Sequence, residues 1–278
     1  MRFSTGVLLA GILLAAGSAL AGEVGSEIID YSAGATYPAP DPNDFGFVPP
    51  VNQVNATLTN PNGALGGLSA DAGFGAVTPF NGVFLSSDYV GIGEGGSLTI
   101  KLSGPIRTDG YTLGIHTAVG IIDFDYPNGS TSGGAFPYTT ARQGIVEVSQ
   151  NGGDWISLGS QVFEIPSNYY ATGVTTPGYQ PLGPGLGAAD QFKPFTHSLS
   201  DLGGKDWSGL LAELDGSAGG TWLDLSGTGL SEVNYVRFTG ETGHSMYIDA
   251  VVGVSTPEPA TLGTLGSAAV LLLLRRRK

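Results

Sequence analysis

Ile145-Val146-Glu147-Val148-Ser149-Gln150, then Asn151-Gly152-Gly153-Asp154, then Trp155-Ile156-Ser157-Leu158 is the stretch on which the fold turns. Val146 and Val148 alternate with Glu147 and Ser149, the period-2 pattern of a strand with one face in a core and one in water. The Asn-Gly-Gly-Asp step supplies residues that tolerate φ > 0, so the chain can reverse and pair with itself as a hairpin. The same alternation recurs on both sides. In Ser97 to Ile106, Leu98, Ile100 and Leu102 face one way, and Thr99, Lys101 and Ser103 the other. Val233 to Thr239 and Met246 to Val254 read as two further strands, the second the last of the body. Tyr111 to Phe124, with Leu113, Ile115, Val119, Ile121 and Ile122, reads as a central strand or a pair. Helix signals are few: Asp206 caps a short helix with Trp207, Leu210, Leu211 and Leu214 on one face. No fixed-period repeat appears, and long polar connections lie at Pro127 to Ala141 and Pro166 to Ser198. The expected fold is all-β, a two-sheet antiparallel β-sandwich with long loops.

Composition agrees. The chain has 46 Gly, 17 Pro and no Cys, yet 41% of it is hydrophobic, which favours many turns between short strands over disorder. Without cysteine the fold is held by packing, with a structural metal as the other expected source of support.

The two ends read as separate from the body. Met1-Arg2, the apolar run Val7 to Ala16 and Ala19-Leu20-Ala21 form a secretory signal peptide over residues 1–21, cut before Gly22. At the other end, Leu262 to Leu274 is 13 residues. As a helix that is about 20 Å, against a hydrocarbon core of about 30 Å, so it is short for a permanent span. Arg275-Arg276-Arg277-Lys278 follows and favours a cytoplasmic end. The order Pro257-Glu258-Pro259-Ala260-Thr261-Leu262, apolar Gly-containing helix, closing Arg cluster resembles the PEP-CTERM sorting signal, over residues 255–278. The resemblance implies export, recognition by an exosortase-type membrane protease at a motif comprising Pro257, Glu258, Pro259, Arg275, Arg276 and Arg277, tail removal, and release to the cell surface or extracellular matrix. Its implied partners are the export machinery, signal peptidase and the exosortase, with membrane contact only transient, through the tail.

With both ends removed, five of the 11 basic residues and one of the 24 acidic ones are lost, so the formal net charge falls from −13 to about −17. Such a body repels nucleic acid and anionic membrane, and neither is an expected partner.

Within residues 22–254, Asn60-Pro61-Asn62-Gly63-Ala64-Leu65-Gly66, Gly93-Glu94-Gly95-Gly96-Ser97-Leu98-Thr99-Ile100, the hairpin quoted above and Tyr247-Ile248-Asp249-Ala250-Val251 occur in an order that resembles bacterial surface jelly-roll domains of the galactose-binding-like kind. The resemblance spans about Ile28 to Val254. It implies a two-sheet jelly roll with roles in carbohydrate or protein adhesion. The chain departs from the pattern after Phe124 and in the Pro/Gly-rich insert Pro166 to Gly187.

No catalytic constellation is legible. His116, His197 and His244 stand in no recognisable motif, and neither G-x-S-x-G in strand–turn–helix context nor H-E-x-x-H occurs. Asp123-Phe124-Asp125-Tyr126-Pro127-Asn128-Gly129 is the most calcium-like run, without EF-hand spacing. Asp249, with Glu27 and Asp30, is a second calcium candidate: jelly rolls similar to this one bind a structural calcium between first and last strands. The competing reading pairs Asp249 with a backbone amide or Arg237. Tyr169, Tyr170, Tyr179 and Trp155 are candidate platforms for sugar rings, with Phe192, Phe195 and Trp222 nearby in sequence; the competing reading is that the loop rings pin the insert to the body. The expectation is a non-catalytic, exported surface or matrix protein, with polysaccharide as its candidate ligand. Its rival is an extracellular polysaccharide hydrolase using paired carboxylates.

Overall fold

The computed structural model describes residues 22–38, 50–137 and 142–255. The signal-peptide segment, the sorting motif and the helices expected at both ends lie outside the described residues. Among the described residues no helix is long and apolar enough to cross a membrane.

Thirteen strands, one α-helix and two short 3₁₀ turns make up the body. In chain order the strands are β1 (Gly22–Ser32), β2 (Thr36–Tyr37), β3 (Val54–Asn55), β4 (Val90–Ile92), β5 (Ser97–Ile106), β6 (Tyr111–Thr117) and β7 (Arg142–Ser149). They continue with β8 (Ile156–Phe163), β9 (Tyr170–Thr172), β10 (Gly187–Ala188), β11 (Thr221–Asp224), β12 (Val233–Gly240) and β13 (Met246–Val254). Helix α1 is Trp207–Leu214.

Nine strands join in one antiparallel, nearly closed sheet of order β11-β6-β13-β1-β5-β12-β7-β8, with β4 also on β13. Strand β1 is the corner. Its residues Gly22 to Val24 pair with Val254 to Val252 of β13, and from Gly25 to Ser32 it pairs instead with β5, across two register shifts. On either side lie a β13 half (β11-β6-β13, with β4) and a β12 half (β5-β12-β7-β8). Long-range pairing is nested: first strand with last, β5 with β12, β6 with β11, and β7 with β8 innermost.

The halves share one core. Leu98, Ile100, Val146, Val148, Val236 and Phe238 from the β12 half meet Ile92, Leu113, Ile115, Met246 and Ile248 from the β13 half in a single buried cluster. The two halves differ on their outer sides. Strand β12 alternates buried and partly exposed residues, as a one-sided strand must. Strand β13 is buried at every residue except Tyr247, because its outer side is covered as well. There Ala250, Val252 and Val254 pack with Trp222, Phe195, Leu202 and the α1 residues Leu210 and Leu214. Trp222 lies across Gly114 so closely that a Cβ there would sit 2.8 Å from its ring.

The hairpin forms as its sequence predicts. Asn151 Oδ1 accepts the backbone N–H groups of Gly153 and Asp154, and Gly152 takes the required φ of +77°. Trp155 belongs to the turn, not to the strand, which begins at Ile156. Asp206 caps α1 as expected, accepting the Gly209 N–H at 2.8 Å, and the helix ends at Asp215 in a left-handed conformation. Two expectations are corrected. Tyr111 to Phe124 is strand only as far as Thr117; beyond it Ile121 turns into the outer cluster as loop. The insert from Pro166 is not featureless, because β9 and β10 pair within it.

Candidate functional site

The uncovered outer side of the β12 half carries the most site-like surface. Register brings Asp30 opposite Thr99, Thr99 opposite Arg237, and Arg237 opposite Glu147. Because side chains alternate, these four stand in one row across four strands on the solvent side. Arg237 Nε donates to Glu147 Oε2 at 2.6 Å, and its guanidinium lies over the Trp155 ring, 4.2 Å from the centroid. Trp155 is placed there by the hairpin turn. With Ile29, Ser97, Gly152 and Thr239 these groups line an open groove of about 440 Å³. A neighbouring row adds the Lys101–Glu27 ion pair at 3.7 Å. The groove thus offers one indole, carboxylates, a guanidinium and hydroxyls within a single shallow depression.

The covered side of the β13 half holds polar groups of a different kind. His116 is fully buried, and its Nδ1 lies 3.1 Å from Ser167 Oγ. Burial pulls its pKa down to about 4; the Gln191 backbone opposes that shift, although Nε2 has no partner within hydrogen-bond geometry. Asp249 is 1% exposed. Its Oδ1 accepts from Ser69 Oγ at 2.8 Å, Oδ2 has no partner, and burial pushes its carboxyl up to about 7. Asn168, also buried, has both amide atoms unpartnered. These groups have the perturbed acidities of catalytic residues, but the roof of loops and α1 closes them off from any substrate.

The sequence-derived candidates are not brought together as expected. Asp249 faces Ser69 on the covered side, whereas Glu27 and Asp30 lie along the part of β1 that pairs with β5. Arg237 pairs with Glu147, not with Asp249. Asp123 is spent on its own loop: its carboxylate accepts the N–H groups of Asp125, Gly129 and Ser130 at 2.9–3.1 Å, while Asp125 meets only the Asn128 amide at 3.4 Å. Among the described residues no three His, Cys, Asp or Glu side chains gather as metal ligands.

The loop tyrosines also separate. Tyr170 is buried and packs edge-on against Tyr169, centroids 4.7 Å apart, so this pair fastens the insert and offers no open platform. Phe195 and Trp222 are buried in the outer cluster. Tyr179 is 49% exposed but stands apart from the groove lining. Of the four candidate rings, Trp155 alone lines the groove. Thr99 and Glu147 were missed as site residues, although their outward position is written in the alternation of β5 and β7.

Taken together, the chain is an all-β protein with one roofed and one open sheet face, the open one bearing an aromatic–charged groove. Comparison with family models and with curated proteins finds no match to this chain.

Proposed function

We propose that this is an exported surface or matrix protein whose body is a two-sheet jelly roll that binds polysaccharide along the open face of its β12 half, without catalysing a reaction. The nested pairing supports the jelly-roll reading. Folding a long hairpin over on itself pairs first strand with last and middle strands with each other, and yields the four-strand sets β1-β13-β6-β11 and β5-β12-β7-β8. The signal-like residues 1–21 and the Pro-Glu-Pro, apolar and Arg-rich order of residues 255–278 support export followed by tail processing. Calcium stays outside this proposal.

The observation that carries the binding role is the Asp30–Thr99–Arg237–Glu147 row beneath Trp155. A sugar ring has an apolar C–H face and a rim of hydroxyls. An indole matches the first, and adjacent carboxylate, guanidinium and hydroxyl groups match the second. The hydrolase reading rests on Asp30 and Glu147 lining one groove. The groove is open, and Glu147 is engaged by Arg237 rather than facing a second carboxylate, so binding is favoured.

A glycan array probed with the full chain and with Trp155→Ala tests this. Retention on at least one polysaccharide is expected, weakened about tenfold or more by the substitution. Retention unaffected by it, or none on any glycan, would reject the groove. Release of reducing ends from a bound glycan, abolished by Glu147→Gln, would establish the hydrolase instead. For the export reading, mass spectrometry of protein from its native host is expected to show a chain beginning at Gly22 and lacking residues after about Thr256; an intact Lys278 on the mature protein would reject tail processing.

A further inference from the structure

A second cavity, of about 290 Å³, opens away from the groove, among β2, β3, β13 and the loops before β4 and after β6. Its walls are mostly rings and aliphatic side chains, Tyr37, Tyr89, Tyr247 and Phe84 with Leu58 and Val119, and Asn55 adds one amide. Tyr89 and Tyr247 meet edge to face, centroids 5.8 Å apart at 87°. Phe84 is 68% exposed and packs against exposed Phe74, which puts it at the mouth.

Into this apolar space β7 delivers a cation, Arg142, its first residue. The guanidinium lies over the Tyr247 ring at 4.7 Å, and Nη1 donates to Ser245 Oγ at 2.9 Å. Its Nε is buried and has no acceptor. Every other Arg or Lys that forms an ion pair among the described residues does so with Asp or Glu; Arg142 forms none. Burial pulls its pKa down, and the groups beside it are the phenols of Tyr247, Tyr37 and Tyr89. Tyr89 and Tyr247 supply no counter-charge: burial pushes the Tyr89 phenol up to about 12 and the Tyr247 phenol further still, so both stay neutral. A partly desolvated guanidinium with only a ring face and one hydroxyl is under-compensated, and a carboxylate is the group whose planar oxygens best match it.

We propose that this cavity binds a small carboxylate whose body is a single apolar ring. The charge calls for the anion. The walls, rich in rings and poor in polar partners, exclude a polyhydroxylated body, whose hydroxyls would lose water without replacement. The volume lies at the low end for small-molecule pockets and suits one ring. This site is independent of the groove and of its polysaccharide role.

The probes are benzoate, benzyl alcohol as its neutral counterpart, and glucuronate as a hydroxylated carboxylate, titrated calorimetrically into the full chain. Benzoate is expected to bind, with the other two at least about tenfold weaker, and Arg142→Gln is expected to weaken benzoate by at least about tenfold. Because Arg142 also supports packing, Phe84→Ala serves as the second variant. Its ring is exposed, its melting temperature is expected to stay at the parent value, and benzoate is expected to bind several-fold more weakly. Equal binding of benzoate and benzyl alcohol, preference for glucuronate, or no binding by any probe would overturn the proposal.

Discussion

The two outer faces of the sheet are made from the same kind of strand and end in opposite states. On the β13 half, loops and α1 cover the strands, so Val252 and Val254 lie as deep as core residues, and His116, Asp249 and Asn168 are trapped with incomplete hydrogen bonding. On the β12 half none of the described residues roofs the strands, and polar side chains satisfy one another in rows, as Arg237 and Glu147 do. Perturbed acidity therefore marks the closed face and accessible chemistry the open one. A search guided by shifted pKa values alone would be drawn to His116 and Asp249 on the closed face. Burial shifts a titration whether or not a substrate can arrive.

The contrast can be broken most forcefully at the roof. Leu210→Ala removes a fully buried α1 side chain from the outer cluster and is expected to cost about 2–5 kcal/mol in denaturant unfolding. A loss below about 1 kcal/mol would mean that α1 only rests on the sheet.

The next largest effect concerns Asp249. Its folded pKa, about 7, lies above the ordinary aspartate value of 3.8, so its ionisation opposes folding. The penalty is absent below the lower value, grows between the two and is complete above the upper. Asp249→Asn is thus expected to stabilise the protein by about 2–4 kcal/mol at pH 8 and to have little effect at pH 4. A stability gain independent of pH would show that Asp249 is not held protonated. His116 acts with the opposite sign. Its folded pKa, about 4, lies below the usual 6.5, so stability is lost as pH falls through that interval. Between about pH 4 and 6.5 the two slopes offset each other.

The smallest effect belongs to the open face. Glu147→Gln breaks a partly exposed ion pair and is expected to cost no more than about 1 kcal/mol; under the proposed polysaccharide role it is also expected to alter retention on glycan. A stability loss as large as that of Leu210→Ala would mean that the row is structural and not a recognition surface.

These differences explain what could be read from the chain. The β5, β12 and hairpin strands were legible because a one-sided strand alternates apolar and polar residues, and Leu98-Thr99-Ile100-Lys101 does so in residue type, although Thr99 is itself buried. The short cap-and-helix at Asp206 was legible for a local reason, a side chain folding back on its own first turn. Strand β6 was overextended, because apolar residues of a strand buried on both faces and of the loop beyond it look alike. The site was less legible. Trp155 was found by chemistry alone. Its partners Thr99, Arg237 and Glu147 are up to 138 residues apart and meet only through register. For the tyrosine pair the chain left two readings open, platform or anchor, because exposure is a property of the packed insert, not of residue type.

The pairing of Gly22 with Val254 has a temporal consequence. The outermost partners of the nested set are the first and last to leave the ribosome, so the corner that joins both halves has no mate until almost all of the body exists. Contacts of such separation make assembly slow, because the chain must close its longest loop before the structure is rewarded. The inner pairs can form as their strands appear, but the joint between the two halves closes only once β13 has been made.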